Sequence, residues 1–197
     1  MSMLNKIFVL FTLLNLNSYS QQKDSVLVAT DIYTVSYSEK LEQPLWIKYT
    51  VQCPTGTTSR AGMDFYTDKS IHTSDAKDYV DNVYDKGHMA PAADFNCTKE
   101  MLHKTFSYIN CALQNQYLNR GVWKMLEAQE REWAKSEAVS VTIRIVFTDF
   151  NHKLPTGATI PTGFYKTIYL QNSKKTYQYY LPNIKPTKAN FTEYEVK

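Results

Sequence analysis

The sequence predicts an α+β domain, and three patterns predict it. Val139, Val141, Ile143 and Ile145 alternate with Ser140, Thr142 and Arg144, the mark of a half-buried strand. From about Gln114 to Ala134, Leu118, Val122, Met125, Leu126 and Trp133 recur at helical spacing with no proline among them. Strand-like segments lie on both sides of that stretch, so strands flank one principal helix.

Taken in order, the first twenty residues differ from the rest. Lys6 precedes the apolar run Ile7 to Phe11, extended by Leu13, Leu14 and Leu16, and small or polar residues end at Ser18-Tyr19-Ser20. That is the pattern of a secretory signal peptide cleaved before Gln21, too short and too interrupted for a membrane span. It leaves residues 21–197 as one exported domain, secreted or periplasmic, with no membrane association after cleavage. Ile32–Tyr37 and Leu45–Val51 read as strands joined through Pro44. Residues 53–83 form a long polar connection, of the length that usually serves a function in compact domains. Thr98 is placed to cap a short helix over Lys99–Lys104, and Phe106–Ile109 has strand character. Phe164–Leu170 and Thr176–Leu181 are further strands, rich in tyrosine.

Composition is that of an ordinary globular chain, 43% hydrophobic and 21% charged over 197 residues, enough for one core. Formal charge is +3, or +2 once Lys6 leaves with the signal peptide, far short of a dense nucleic-acid-binding patch. Cys53, Cys97 and Cys111 show no Cys-x-x-Cys pair and no zinc-finger spacing to histidine, which argues against a structural zinc site. A Cys97–Cys111 disulfide and three buried thiols remain alternative readings.

The chemistry-bearing residues begin at Tyr84-Asp85-Lys86-Gly87-His88. Cutting a phosphodiester needs a base of near-neutral pKa, a divalent metal and cationic donors for the developing charge. Histidine suits the base role. Gly87 permits close backbone approach, Lys86 supplies charge, and Asp85 is placed to orient a partner. Downstream, Asn119, Trp123, Glu127 and Arg131 are spaced by four along one helix stripe. Asn119 offers Mg²⁺ a carbonyl oxygen, and Glu127 a carboxylate for the waters that Mg²⁺ retains. Each residue alone has a plainer reading: His88 as a hydrogen-bonded loop residue, Asn119 as a helix cap, Glu127 with Arg131 as a surface pair. Only their joint order and spacing favours catalysis.

"DKGHMAPAADF", "SYINCALQ" and "NRGVWKMLE", with "YTVSY", "PLWIKY", "IPTGFYKTIY" and "YLPN" around them, resemble the DNA/RNA non-specific endonuclease family over roughly residues 30–197. The resemblance implies a ββα-metal nuclease fold, a central, mostly antiparallel sheet with a metal-bearing helix. It implies hydrolysis of both DNA and RNA with one Mg²⁺, Mn²⁺ being an alternative ion. By position, His88 becomes the general base, Asn119 the metal ligand, and Glu127 the holder of metal-bound waters. Asn110 would position the histidine and phosphate. Gln114, Lys86 and Arg60 would lie against the nucleic acid, with Arg60 near the phosphate or leaving group. Lys86 stands where the family has arginine, keeping the charge without the bidentate fork. Asp149-Phe150 replaces a Gly-Pro, and the chain stops at Lys197, where many relatives continue. The alternative expectation is a weakened member that binds nucleic acid or a partner protein without cutting.

Overall fold

The computed structural model describes residues 25–196. The expected signal peptide, residues 1–20, and the expected domain start at residue 21 lie outside the described residues. Six antiparallel strands form the main sheet: β1 (Ser25–Ala29), β2 (Tyr33–Ser38), β3 (Gln43–Thr50), β6 (Val139–Val146), β7 (Gly163–Leu170) and β8 (Lys175–Pro182), in the spatial order β1-β2-β3-β6-β7-β8. Period-two patterning places Val35, Ile47, Val141, Ile143, Phe164 and Ile168 on one face, where all are buried in a single core.

A separate two-stranded ribbon, β4 (Tyr84–His88) and β5 (Cys111–Asn115), stands off the sheet with its strands antiparallel. Two buried side chains fasten it there. Gln43 accepts the Leu113 amide at 2.9 Å, while Asn183 accepts the Asn115 amide and donates to the Leu113 and Pro161 carbonyls. The asparagine of "YLPN" is therefore a clamp between ribbon and sheet. After β5 come a short helical turn (Gln116–Leu118), a π-helical turn (Asn119–Trp123) and helix α2 (Lys124–Ala134). Helix α1 (Lys99–Lys104) packs earlier, capped as expected by Thr98, whose hydroxyl accepts the Met101 amide.

One plainer reading and two expectations need correction. His88 is not a loop residue; it ends strand β4, paired with Cys111. Phe106–Ile109 is not a strand: Ser107 caps a 3₁₀ turn over Tyr108–Asn110, and pairing starts at Cys111. The helix expected from Gln114 to Ala134 starts later, because Gln114 and Asn115 pair with Asp85 and Tyr84, and it is broken by the π turn, where Gly121 leaves helical geometry. Periodicity alone does not separate a polar strand end from a helix start.

Neither cysteine reading holds. Cys53 pairs with Cys97, and Cys111 is a free, buried thiol. The bridge joins the end of β3 to the start of α1, beside Asp94, whose carbonyl accepts the Gln52 and Cys53 amides.

Candidate active site

Ribbon, π turn, α2 and the 53–83 segment enclose a cleft of about 820 Å³. His88, Lys86, Asn119, Glu127 and Arg60 all line it; Asn110 and Gln114 do not. Five cations (Arg60, Lys86, Arg120, Lys124 and Arg131) face it against two carboxylates, Asp85 and Glu127. The charge balance that was uninformative for the whole chain is strongly positive here, as a polyanion requires.

His88 is held from several sides. Phe65 lies 4.9 Å from its ring and Phe106 meets it edge-on at 5.0 Å. Its Nε2 is buried without a hydrogen-bond partner. Burial, reinforced by the Arg60 charge, holds the imidazole down to about 4, against a backbone hydrogen bond at Lys86 that favours the proton. The ring is neutral at physiological pH, with a nitrogen free to accept.

Asn110 works behind the histidine. It is fully buried; its Nδ2 donates to the Ala90 and Thr105 carbonyls, and its Oδ1 accepts the Ala90 amide. It fixes the turn that follows His88, with no amide atom left for a phosphate. Gln114 is also fully buried and packs on Gly87: a Cβ at Gly87 would fall 2.5 Å from the Gln114 Cβ. The glycine is thus demanded by the diagonally placed glutamine of the partner strand, which does not line the cleft.

The Lys86 ammonium sits in a box of aromatic faces, 5.3 Å from Phe65, 5.7 Å from Tyr108 and 5.9 Å from Tyr79. Such contacts stabilise a cation by about 0.5–2 kcal/mol each. Phe65 and Arg60 arrive on the long polar segment, which is pinned where Tyr66 bridges to Ser107 and stacks on His103 at 4.7 Å. A segment that sequence alone left unassigned therefore carries one wall of the site.

Asn119 lies on the π turn. Its Nδ2 donates to Asp85 Oδ2 at 2.9 Å, and Arg120 grips the same carboxylate with two bonds of 2.8 and 2.5 Å. A carboxylate only accepts, so this contact fixes the amide's orientation and leaves the carbonyl oxygen as the atom Asn119 can offer. Glu127 accepts the Trp123 indole N–H at 2.8 Å. Burial pushes its carboxyl up to about 7, opposed by Lys166, Arg131 and the indole and assisted by Glu130. One neutral oxygen with a carboxylate behind it suits a hard divalent cation that keeps several waters. Among the described residues, no group of three or more His, Cys, Asp or Glu side chains gathers as a metal cage.

Arg131 does not pair with Glu127. Its Nη1 bonds to buried Asp94 at 2.9 Å. The "PAADF" segment thereby gains a purpose: Pro91, Ala92 and Ala93 line the cleft while Asp94 anchors α2. Asp94 and Arg120 were not among the sequence-selected residues, whereas Asp85, read there as placed to orient a partner, does so by holding the Asn119 amide. Asp85 and Asp94 flank His88 within the quoted motif, which is the signal that pointed to them.

A family model described as DNA/RNA non-specific endonuclease matches residues 13–197. The chain belongs to that family. Mitochondrial endonuclease G of Bos taurus is 28% identical over 109 residues, covering 53% of this chain and 36% of that protein. The nuclease of Serratia marcescens is 25% identical over 170 residues, 79% of this chain and 62% of its own length. This chain thus matches about a third of endonuclease G and less than two thirds of the Serratia protein. A chain in the crystal structure of the EndoG/EndoGI complex superposes with a TM-score of 0.76 at 25% identity, covering 90% of this chain and 84% of that one. The family's α+β fold is the one described above: a mostly antiparallel sheet, a ribbon and a helix bordering the cleft.

Proposed function

We propose that the protein is an exported, Mg²⁺-dependent endonuclease that hydrolyses phosphodiester bonds of both DNA and RNA. One observation carries the reading. His88, whose buried Nε2 has no hydrogen-bond partner, lines the same cationic cleft as Asn119, whose amide is oriented to leave its oxygen available.

His88 Nε2 takes the proton from an attacking water. The imidazole is a poor base on its own, but charge growing on the adjacent phosphate raises its hold on a proton as the reaction proceeds. Phe65 and Phe106 keep the ring oriented and exclude solvent from its flanks. Arg60, Lys86, Arg120 and Lys124 attract and orient the backbone phosphates, contacts that carry no base information and so predict little sequence preference. Asn119 would hold the ion and Glu127 its waters. When bound, the ion supplies Lewis-acid stabilisation of the phosphoryl and leaving oxygens. Asn110 keeps the turn after His88 in place throughout.

Digestion of plasmid and RNA by the purified protein in Mg²⁺ or Mn²⁺, with and without EDTA, tests the proposal. Cleavage of both, abolished by chelation, is expected. Substrates that stay intact with either metal would overturn it.

A further inference from the structure

One buried charge has no role in the chemistry above. Lys166 points from β7 into the core, where both it and Glu130 of α2 have fully buried side chains, and Lys166 Nζ meets Glu130 Oε1 at 2.6 Å. Tyr49 on β3 donates its hydroxyl to the other Glu130 oxygen at 2.8 Å. The same ammonium lies 4.4 Å from the centre of the Trp123 ring, itself fully buried and held edge-on by Phe164 at 5.3 Å. The indole N–H then reaches Glu127 Oε1 at 2.8 Å.

These contacts form one line from the sheet to the cleft: Tyr49, Glu130, Lys166, Trp123, Glu127. Trp123, at the end of the π turn, and Glu130 of α2 both meet Lys166 of β7, and Glu127, one turn on from Trp123, carries the line into the cleft. A cation over an indole draws density from the ring, which strengthens the N–H as a donor and fixes the ring's tilt. A carboxylate that must hold metal-bound waters needs just such a fixed partner, since a donor free to rotate would let it turn away.

We propose that Lys166 is a positioning residue for Glu127, acting through the Trp123 indole and, by its own charge, on the carboxylate directly. The inference rests on the reading of Glu127 as the group that holds the metal's waters. It makes a residue of the core sheet, outside the cleft, a determinant of metal affinity.

Calorimetric titration of Mn²⁺ into the purified protein tests it, using Lys166→Met alone and combined with Glu127→Gln. Lys166→Met should weaken Mn²⁺ binding about tenfold, the usual consequence of losing a partner behind the ligands. It should lower kcat with KM for DNA held within about twofold, because the cations that bind DNA are elsewhere. In the Glu127→Gln background the same substitution should change Mn²⁺ affinity hardly at all, since residues acting in series do not add. A role in stability only would cost the same in both backgrounds. Where Lys166→Met alone fails to fold, Glu130→Gln with Lys166→Met removes both buried charges together and carries the measurement. Unchanged Mn²⁺ affinity in the lysine variant, or equal losses in the two backgrounds, would overturn the inference. Wild-type protein that takes up no Mn²⁺ would instead overturn the metal reading beneath it.

Discussion

At the scale of single residues, the site separates a base kept neutral from a carboxyl kept close to neutrality. His88 sits at about 4 because its ring is desolvated, so the imidazole is already deprotonated across the working pH range. Glu127 is raised to about 7 and loses its charge as pH falls through that value. With metal below saturation, kcat/KM should therefore decline on the acid side near pH 7, up to tenfold per unit, with the limb belonging to the carboxyl. Glu127→Gln should abolish that limb in a pH–rate profile, along with most of the activity. His88→Ala should lower kcat by about 10²–10⁴-fold, while a gel-shift assay in EDTA shows DNA binding within about twofold of wild type. Asp85→Ala releases both the Asn119 amide and Arg120. It should weaken Mn²⁺ binding by about 10–100-fold, measured calorimetrically.

At the scale of elements, most strands could be read in the sequence, because alternation survives wherever one face meets the core. β6 and β7 follow the expected pattern to within a residue or so. The ribbon was less legible: β4 carries Asp85, Lys86 and Gly87 instead of alternating apolar residues, since it is built to present a site. The break between β5 and the helix was hidden because Gln114 and Asn115 suit either element. The site residues were legible through their order, yet Asn110 and Gln114 turned out to face the scaffold, a distinction that residue type does not carry. Lys166 left a readable trace, a lysine at a core-facing position of β7 between Phe164 and Ile168. Two element-scale tests follow. Gly87→Ala should destabilise the protein by about 1–3 kcal/mol through overpacking against Gln114, and Gln114→Gly, which removes the clashing Cβ, should recover part of the loss in denaturant melts. Deleting Gly121 would let the π turn relax to α geometry and rotate Asn119 by about 100° relative to α2. Circular dichroism should then show the helix retained while Mn²⁺ binding is lost.

At the scale of the molecule, the cleft is assembled from segments that the rest of the fold must hold in register. The Cys53–Cys97 bridge spans 44 residues of sequence and secures the long segment bearing Arg60 and Phe65. The chain-entropy relation assigns a loop of that length roughly 4 kcal/mol. Reduction should lower the melting temperature in a thiol-dependent way, while buried Cys111 resists alkylation until the chain unfolds. If Arg60, Lys86, Arg120 and Lys124 bind the phosphates as proposed, binding releases counterions, and cleavage should fall as salt rises.

The Glu130–Lys166 pair also ties two separate stretches of sequence together. Every residue lining the cleft precedes Lys166 in the chain, yet Glu130 of α2 meets its counter-charge only on β7. Leaving either charge buried without its partner costs about 3–5 kcal/mol. A truncation that removes β7 would therefore keep every side chain of the cleft while losing the support behind the helix that bears Glu127.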